Sequence, residues 1–176
     1  MNFHASGREM KLVRPVSADY NGDSHHFEVR GAQNLACPYF MPVSKLENGI
    51  WPHPSRLPLG CGWSGHCTAP GHEGTIPPSE VLEAFCNLGY ASSCGWAPAV
   101  RAWDAVRFAI SAPGGSSDAP NRILCLMYVC ERDHHPVTQG ELKFDLATAT
   151  WLRGHCDPRI QKMAECFLES YLKKKA

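Results

Sequence analysis

Five of the nine cysteines in this 176-residue chain fall in a section with little else to hold it in place. Over residues 36–98, proline, glycine, cysteine and tryptophan crowd together without sustained periodicity, so neither a long helix nor a regular ladder is expected there. A ligated metal would supply the missing constraint. It ties distant loops together, and its binding free energy becomes folding free energy. From about Trp103 onward the texture changes to regular structure. The length suits one substantial core, so a single domain over residues 1–176 is expected, with 36–98 as its loop-rich metal-binding section and 103–176 as a conventional one.

Composition narrows the setting. Lys plus Arg and Asp plus Glu both number 17, which removes the broad electrostatic case for nucleic acid or an anionic membrane surface. Residues 1–16 lack the apolar stretch of a signal peptide, and no run approaches the ~20 apolar residues of a membrane span. A cytoplasmic location is therefore expected. In a reducing compartment nine cysteines read as thiols or metal ligands rather than a disulfide framework, and an odd number cannot all pair within one chain.

The second section predicts a small antiparallel β-meander and a helix, an α+β fold. Val106, Phe108 and Ile110 alternate with Arg107 and Ala109, and Leu142, Phe144 and Leu146 alternate with Glu141, Lys143 and Asp145. Between them, residues 123–130 form an apolar run expected to be buried on both faces. Residues 150–153 offer a fourth short strand. The last element is an amphipathic helix capped by Asp157, with Pro158 in its first turn and a stripe of Ile160, Met163, Ala164, Phe167, Leu168 and Tyr171 expected to lie across the sheet. Lys173, Lys174 and Lys175 complement the helix C-terminus and need no further role.

The chemistry concentrates in the spacing C-x29-C-x18-C-x7-C formed by Cys37, Cys67, Cys86 and Cys94. A helix from near Ser79 to about Gly89 would carry Cys86 in its last turn, letting Cys94 return over its end. Structural zinc sites usually carry paired ligands two to four residues apart, and no C-x-x-C occurs here. An iron–sulfur cluster is larger than one ion and can gather thiolates from separated loops, with glycine amides such as those of Gly65, Gly89 and Gly95 available to bond its sulfurs. Trp51, Trp63, Trp96, Tyr39 and Phe40 would shield it or serve as core aromatics. Inert buried thiols are the plain alternative.

The blocks C-P-Y-F (37–40), L-P-L-G (57–60), C-N-L-G-Y-A (86–91) and D-A-V-R-F (104–108) resemble those of a group of uncharacterised small bacterial four-cysteine proteins. The resemblance covers about the middle half of the chain. It implies that the four cysteines act together as ligands of an iron–sulfur cluster, and it implies no activity.

Other residues leave alternatives open. Cys61 could replace Cys67 as ligand or act as a redox-active neighbour. Cys125, Cys130 and Cys166 read as packing residues, Cys156 has no assignment, and Asp133-His134-His135 reads as a polar turn. His66 and His72 could be mixed ligands, donors around the site, or surface residues. The expected function is binding of one [4Fe-4S] cluster for electron transfer or cluster-dependent association with a protein partner. Four thiolates leave no open iron for a substrate, which disfavours catalysis at the cluster. The alternatives are a zinc-stabilised (Zn2+) interaction module and a cysteine-dependent enzyme using Cys61 and a histidine.

Overall fold

The computed structural model describes residues 35–46, 57–111 and 122–175. They lie within the compact unit Ala32–Ala176. Six strands and two α-helices follow in order: β1 (Phe40–Lys45), β2 (Trp63–Cys67), α1 (Ser79–Val81), β3 (Ala105–Ser111), β4 (Ile123–Arg132), β5 (His135–Asp145), β6 (Thr150–Arg153) and α2 (Pro158–Lys173). The fold is α+β. β3 to β6 form an antiparallel four-stranded meander in sequence order, and β1 pairs with β2 as a separate two-stranded sheet.

The meander follows from alternation. Val106 and Phe108 on β3, Leu126 and Cys130 on β4 and Leu142 on β5 are buried, while Arg107, Met127 and Lys143 between them are only partly covered. This corrects the expectation that residues 123–130 are buried on both faces: Ile123 is 47% exposed, and only one side of β4 meets the core. The β4–β5 turn bends through Asp133 (φ 50°) and His134 (φ 64°), the left-handed pair that a two-residue hairpin turn requires. Of the Asp-His-His segment, Asp133 and His134 thus form the turn and His135 opens β5.

α2 begins as its residues predict. The Asp157 carboxylate accepts from the Arg159 N–H at 2.9 Å, and Pro158 sits in the first turn, where its missing N–H costs nothing. Its buried side includes Ile160, Met163, Ala164, Cys166 and Leu168, and Phe167 stacks on Phe108 with ring centroids 5.8 Å apart. These residues share one core with Ala36, Phe40, Leu59 and Trp63 from the cysteine-rich section. The two sections therefore stabilise each other by apolar burial.

The cysteine-rich section holds more regular structure than its sequence predicts. β1 contains Pro42 and a bulge between Pro42 and Ser44, and β2 (Trp-Ser-Gly-His-Cys) lacks alternation, so neither announces itself. Gly65 fits because a side chain there would overlap the Met41 carbonyl. The helix expected over residues 79–89 is shorter and wider. After α1 the chain continues in π-helical turns over Leu82–Cys86, and the Gly89 N–H closes the end onto the Phe85 carbonyl at 3.2 Å.

Candidate metal centre

Each of the four cysteines is delivered by a different device. Ala36 forms an isolated bridge with Val106, exchanging N–H···O bonds of 2.8 and 2.9 Å, so Cys37 enters beside the start of the meander. Cys67 ends β2, its N–H bonded to the Thr75 carbonyl at 2.8 Å and its carbonyl accepting from Gly74 at 2.9 Å. Cys86 closes the π-helical segment. Cys94 follows the 3-10 turn Ala91–Ser93, and its carbonyl accepts from Ala97 at 3.1 Å.

All four side chains line a single pocket together with Tyr39, Phe40, Ala69, Val81, Trp96 and Ala97. Cys37, Cys67 and Cys86 are only 6–7% exposed, while Cys94 is half-buried, so the pocket's thin wall lies on the Cys94 side. The cavity volume is about 10 Å³, close to the room for one water molecule. It is far below the roughly 300 Å³ or more of an organic-ligand site. The lining has no Asp, Glu, Lys or Arg.

The donor set suits a thiophilic centre. The Ala69 N–H donates to Cys67 Sγ at 3.4 Å, and the backbone amides of Tyr39 and Phe40 favour charge on the Cys37 sulfur. Such amides favour a thiolate and tune the potential of a metal held by it. They come from the residues that follow Cys37 and Cys67. Gly89 spends its amide on the helix end, and Gly65 is required by close packing.

Without a cation the pocket disfavours thiolates. Burial pushes the Cys37 thiol up to about 12, against the Tyr39 amide and helped by Cys94 and Cys67. Burial, with Cys37, Cys94 and Cys67 adding, raises Cys86 strongly, and burial also raises Cys67. The mutual influence of the four sulfurs is the electrostatic mark of their nearness. A metal reverses this, because a coordinating thiol is deprotonated outright.

The fit to a single ion differs from the fit to a cluster. A tetrahedral zinc site with Zn–S near 2.3 Å draws its sulfurs to within about 3.8 Å of one another. Among the described residues no three Cys, His, Asp or Glu side chains form a group that could hold one ion. The four thiols surround a common space without closing on a single point.

Residues with no metal-ligand signature fix this arrangement. Asn87, 2% exposed, spans both backbone groups of Trp63: its Oδ1 accepts from the Trp63 N–H at 2.9 Å, and its Nδ2 donates to the Trp63 carbonyl at 2.9 Å and to Leu82 at 3.2 Å. One side-chain amide thereby ties the end of the Cys86 segment to the strand that ends in Cys67. Asp104 does the same for the Cys94 loop. Its carbonyl accepts from Ala91 at 2.8 Å, and its fully buried carboxylate accepts from Arg101 and from the Asp133 N–H, the latter at 2.8 Å. Burial opposes ionisation of Asp104, but the Asp133 amide and Arg101 outweigh it and hold the carboxyl below its usual range. Tyr90 adds a stack on His134 and accepts its N–H at 2.6 Å. The sequence hint for Asn87 was its adjacency to Cys86; for Asp104 it was only its place at the head of the D-A-V-R-F block.

The remaining candidates separate from the pocket. Cys61 Sγ lies 3.2 Å from Ser170 Oγ on α2, so the thiol meets a helix hydroxyl and is not in the lining. Cys130 and Cys166 are buried in the core, Cys125 is partly covered and Cys156 is exposed. Of the expected aromatics, Tyr39, Phe40 and Trp96 line the pocket, Trp63 lies in the core, and Trp51 is outside the described residues. His72 stacks on Trp96 with centroids 4.5 Å apart and an interplanar angle of 4°, while His66 pairs with Met41 across β1–β2. No described helix is long and apolar enough to cross a membrane. Compared with known proteins, the chain matches no family model, no curated protein and no solved structure.

Proposed function

We propose that Cys37, Cys67, Cys86 and Cys94 bind one [4Fe-4S] cluster, used for one-electron transfer or cluster-dependent association with a protein partner. The observation that carries this reading is the convergence of four thiols, delivered from four separate segments, on one pocket without a charged side chain. When bound, the cluster supplies a one-electron redox couple. Tyr39, Phe40 and Ala69 would hold negative charge on the ligand sulfurs through their amides, and Trp96 would limit water. The narrow cavity means that a core larger than one ion needs the Cys94 loop to move outward, and that loop carries the least buried ligand.

The second reading is a zinc-stabilised module, which requires the same loops to close inward on one point. Anaerobic purification followed by optical and electron paramagnetic resonance spectra, before and after dithionite, separates the two. The cluster reading expects a coloured protein that bleaches on reduction and gains a spin signal. A colourless, redox-silent protein carrying stoichiometric zinc would sink it.

A further inference from the structure

We propose that Arg159, seated over the ring of Tyr39 at the start of α2, is a positioning residue that favours negative charge in the cysteine pocket and so sets the one-electron potential of the centre held there. The potential rests on the cluster reading; the charge effect does not. Tyr39 is the contact between the two. Its ring lines the pocket, and the Arg159 guanidinium carbon lies 5.5 Å from the ring centroid, where the ring quadrupole attracts a cation. The ring is also anchored through its own backbone. The Tyr39 carbonyl accepts the Thr68 N–H at 2.8 Å and the Thr68 hydroxyl at 2.9 Å, one residue past Cys67, while the Tyr39 amide favours charge on the Cys37 sulfur.

The pocket has no cation of its own. Its lining holds no charged side chain, and residues 57–100 contain no Lys or Arg. Positive charge must therefore come from flanking segments. Burial raises the Tyr39 phenol, and two arginines oppose the rise, Arg159 first and Arg101 after it. Arg101 is committed to the fully buried Asp104 and to the Pro98 carbonyl at 2.9 Å.

Arg159 is held differently. The Asp157 carboxylate grips it as a fork, accepting from Nε at 3.0 Å and from Nη2 at 2.6 Å, which fixes the guanidinium where it meets the ring. The ion pair is polarised across the fold. Arg159 is raised by Asp157 first, against burial, with Tyr39 and Cys37 adding, whereas Asp157 adds to the burial that raises Cys130 in the core. The cation thus bears on the pocket and the anion on the core. In a poorly solvated site such a charge acts over several ångströms, and the net charge of a thiolate-held cluster is one of the terms that set its potential.

Potentiometric titration of the full-length, anaerobically loaded protein, followed optically with dithionite as reductant, tests this. R159Q removes the charge and leaves the backbone N–H of residue 159 on its Asp157 cap, so metal content and circular dichroism should hold. The equilibrium constant for reduction should fall about threefold, or about 28 mV at about 59 mV per tenfold. R159K keeps the charge and should recover most of that shift. D157N keeps a good helix cap and removes the anion, so reduction should become about twofold easier. R122Q, which removes an arginine bound to Asp145 on the meander, should leave the potential unaltered. An unchanged potential in R159Q, an equal fall in R159K or R122Q, or an unchanged or lower potential in D157N would overturn the proposal, and D157N decides it if R159Q does not fold. The two readings fail separately. A cluster-loaded protein whose potential ignores these variants fails this proposal alone. A zinc-loaded protein fails the cluster reading, and the Arg159 charge is then read from zinc loss to a chelator, about threefold faster in R159Q if the proposal holds and unchanged if it does not.

Discussion

Cys86 and Cys130 are comparably inaccessible, 7% and 0% exposed, and burial raises both thiols, yet they sit in regions stabilised in opposite ways. Cys130 belongs to a central strand, paired with Val106 on one side and Thr138 on the other, where the ladder supplies hydrogen bonds and the core supplies burial. Around Cys86 the ladder has ended. A π-helical turn, one asparagine and a bridge of two hydrogen bonds take its place. In the first region sequence-local patterning and packing suffice. In the second, backbone groups of Ala36, Trp63 and Ala91 are satisfied by particular distant partners, and loss of one partner leaves polar groups unpaired.

The sharpest break of this comparison replaces a thiol in each region. Cys86→Ser should strip the bound metal, at least about tenfold less per chain, because a hydroxyl is a poor ligand for a thiophilic centre. Cys130→Ser should retain the metal and lose about 1–3 kcal/mol of stability from burying a hydroxyl in the core. Metal analysis together with chemical denaturation reads both. Equal metal content in the two variants would erase the distinction.

Because the regions share one core, they should not unfold independently when it is damaged. Met163→Ala removes a fully buried side chain and should cost about 2–5 kcal/mol, with amides of β2 and β4 losing hydrogen-exchange protection together. Loss confined to β4 would show that apolar burial does not couple them.

Asn87→Ala acts only on the site. It unpairs the Trp63 N–H and carbonyl at a cost of about 1–3 kcal/mol, and it loosens Cys86 relative to Cys67. Faster exchange at Trp63 and faster metal loss to a chelator are the expected readouts, with the meander's exchange unaltered.

The gentlest probe is pH. In the metal-free protein the thiols of Cys37, Cys130 and Cys166 are pushed up to about 12 from an ordinary 9.0. Above pH 9 the unfolded chain sheds protons that the folded chain retains, so folding stability should be complete below that pH and decline as pH rises toward 12. Metal loading makes Cys37 a thiolate already and should remove its share, leaving that of Cys130 and Cys166. Identical alkaline profiles for the loaded and metal-free protein would contradict this.

These tests also mark what the sequence reveals. Alternation in β3 and β5, the Asp157 cap with Pro158, and the stripe on α2 are local signals, and β3 and α2 lie where their residues predict, while β5 reaches back to His135, well before its alternating Leu142 and Phe144. The grouping of Cys37, Cys67, Cys86 and Cys94 was legible as spacing in a section with little other support. The β1–β2 pair was not, because Pro42 and Gly65 are poor strand formers made acceptable by a bulge and by close packing. Nor were the clamps of Asn87 and Asp104 or the Ala36–Val106 bridge, whose partners lie 24 residues or more along the chain for Asn87 and Trp63, and farther for the bridge. Periodicity carries no information about such contacts.

The central claim is that four thiols from four separate segments hold one inorganic cluster. Its most direct test is the ratio of iron, acid-labile sulfide and zinc to protein after anaerobic purification. The account predicts iron and sulfide in equal amounts, approaching four of each per chain, with little zinc. One zinc per chain with no labile sulfide would contradict it.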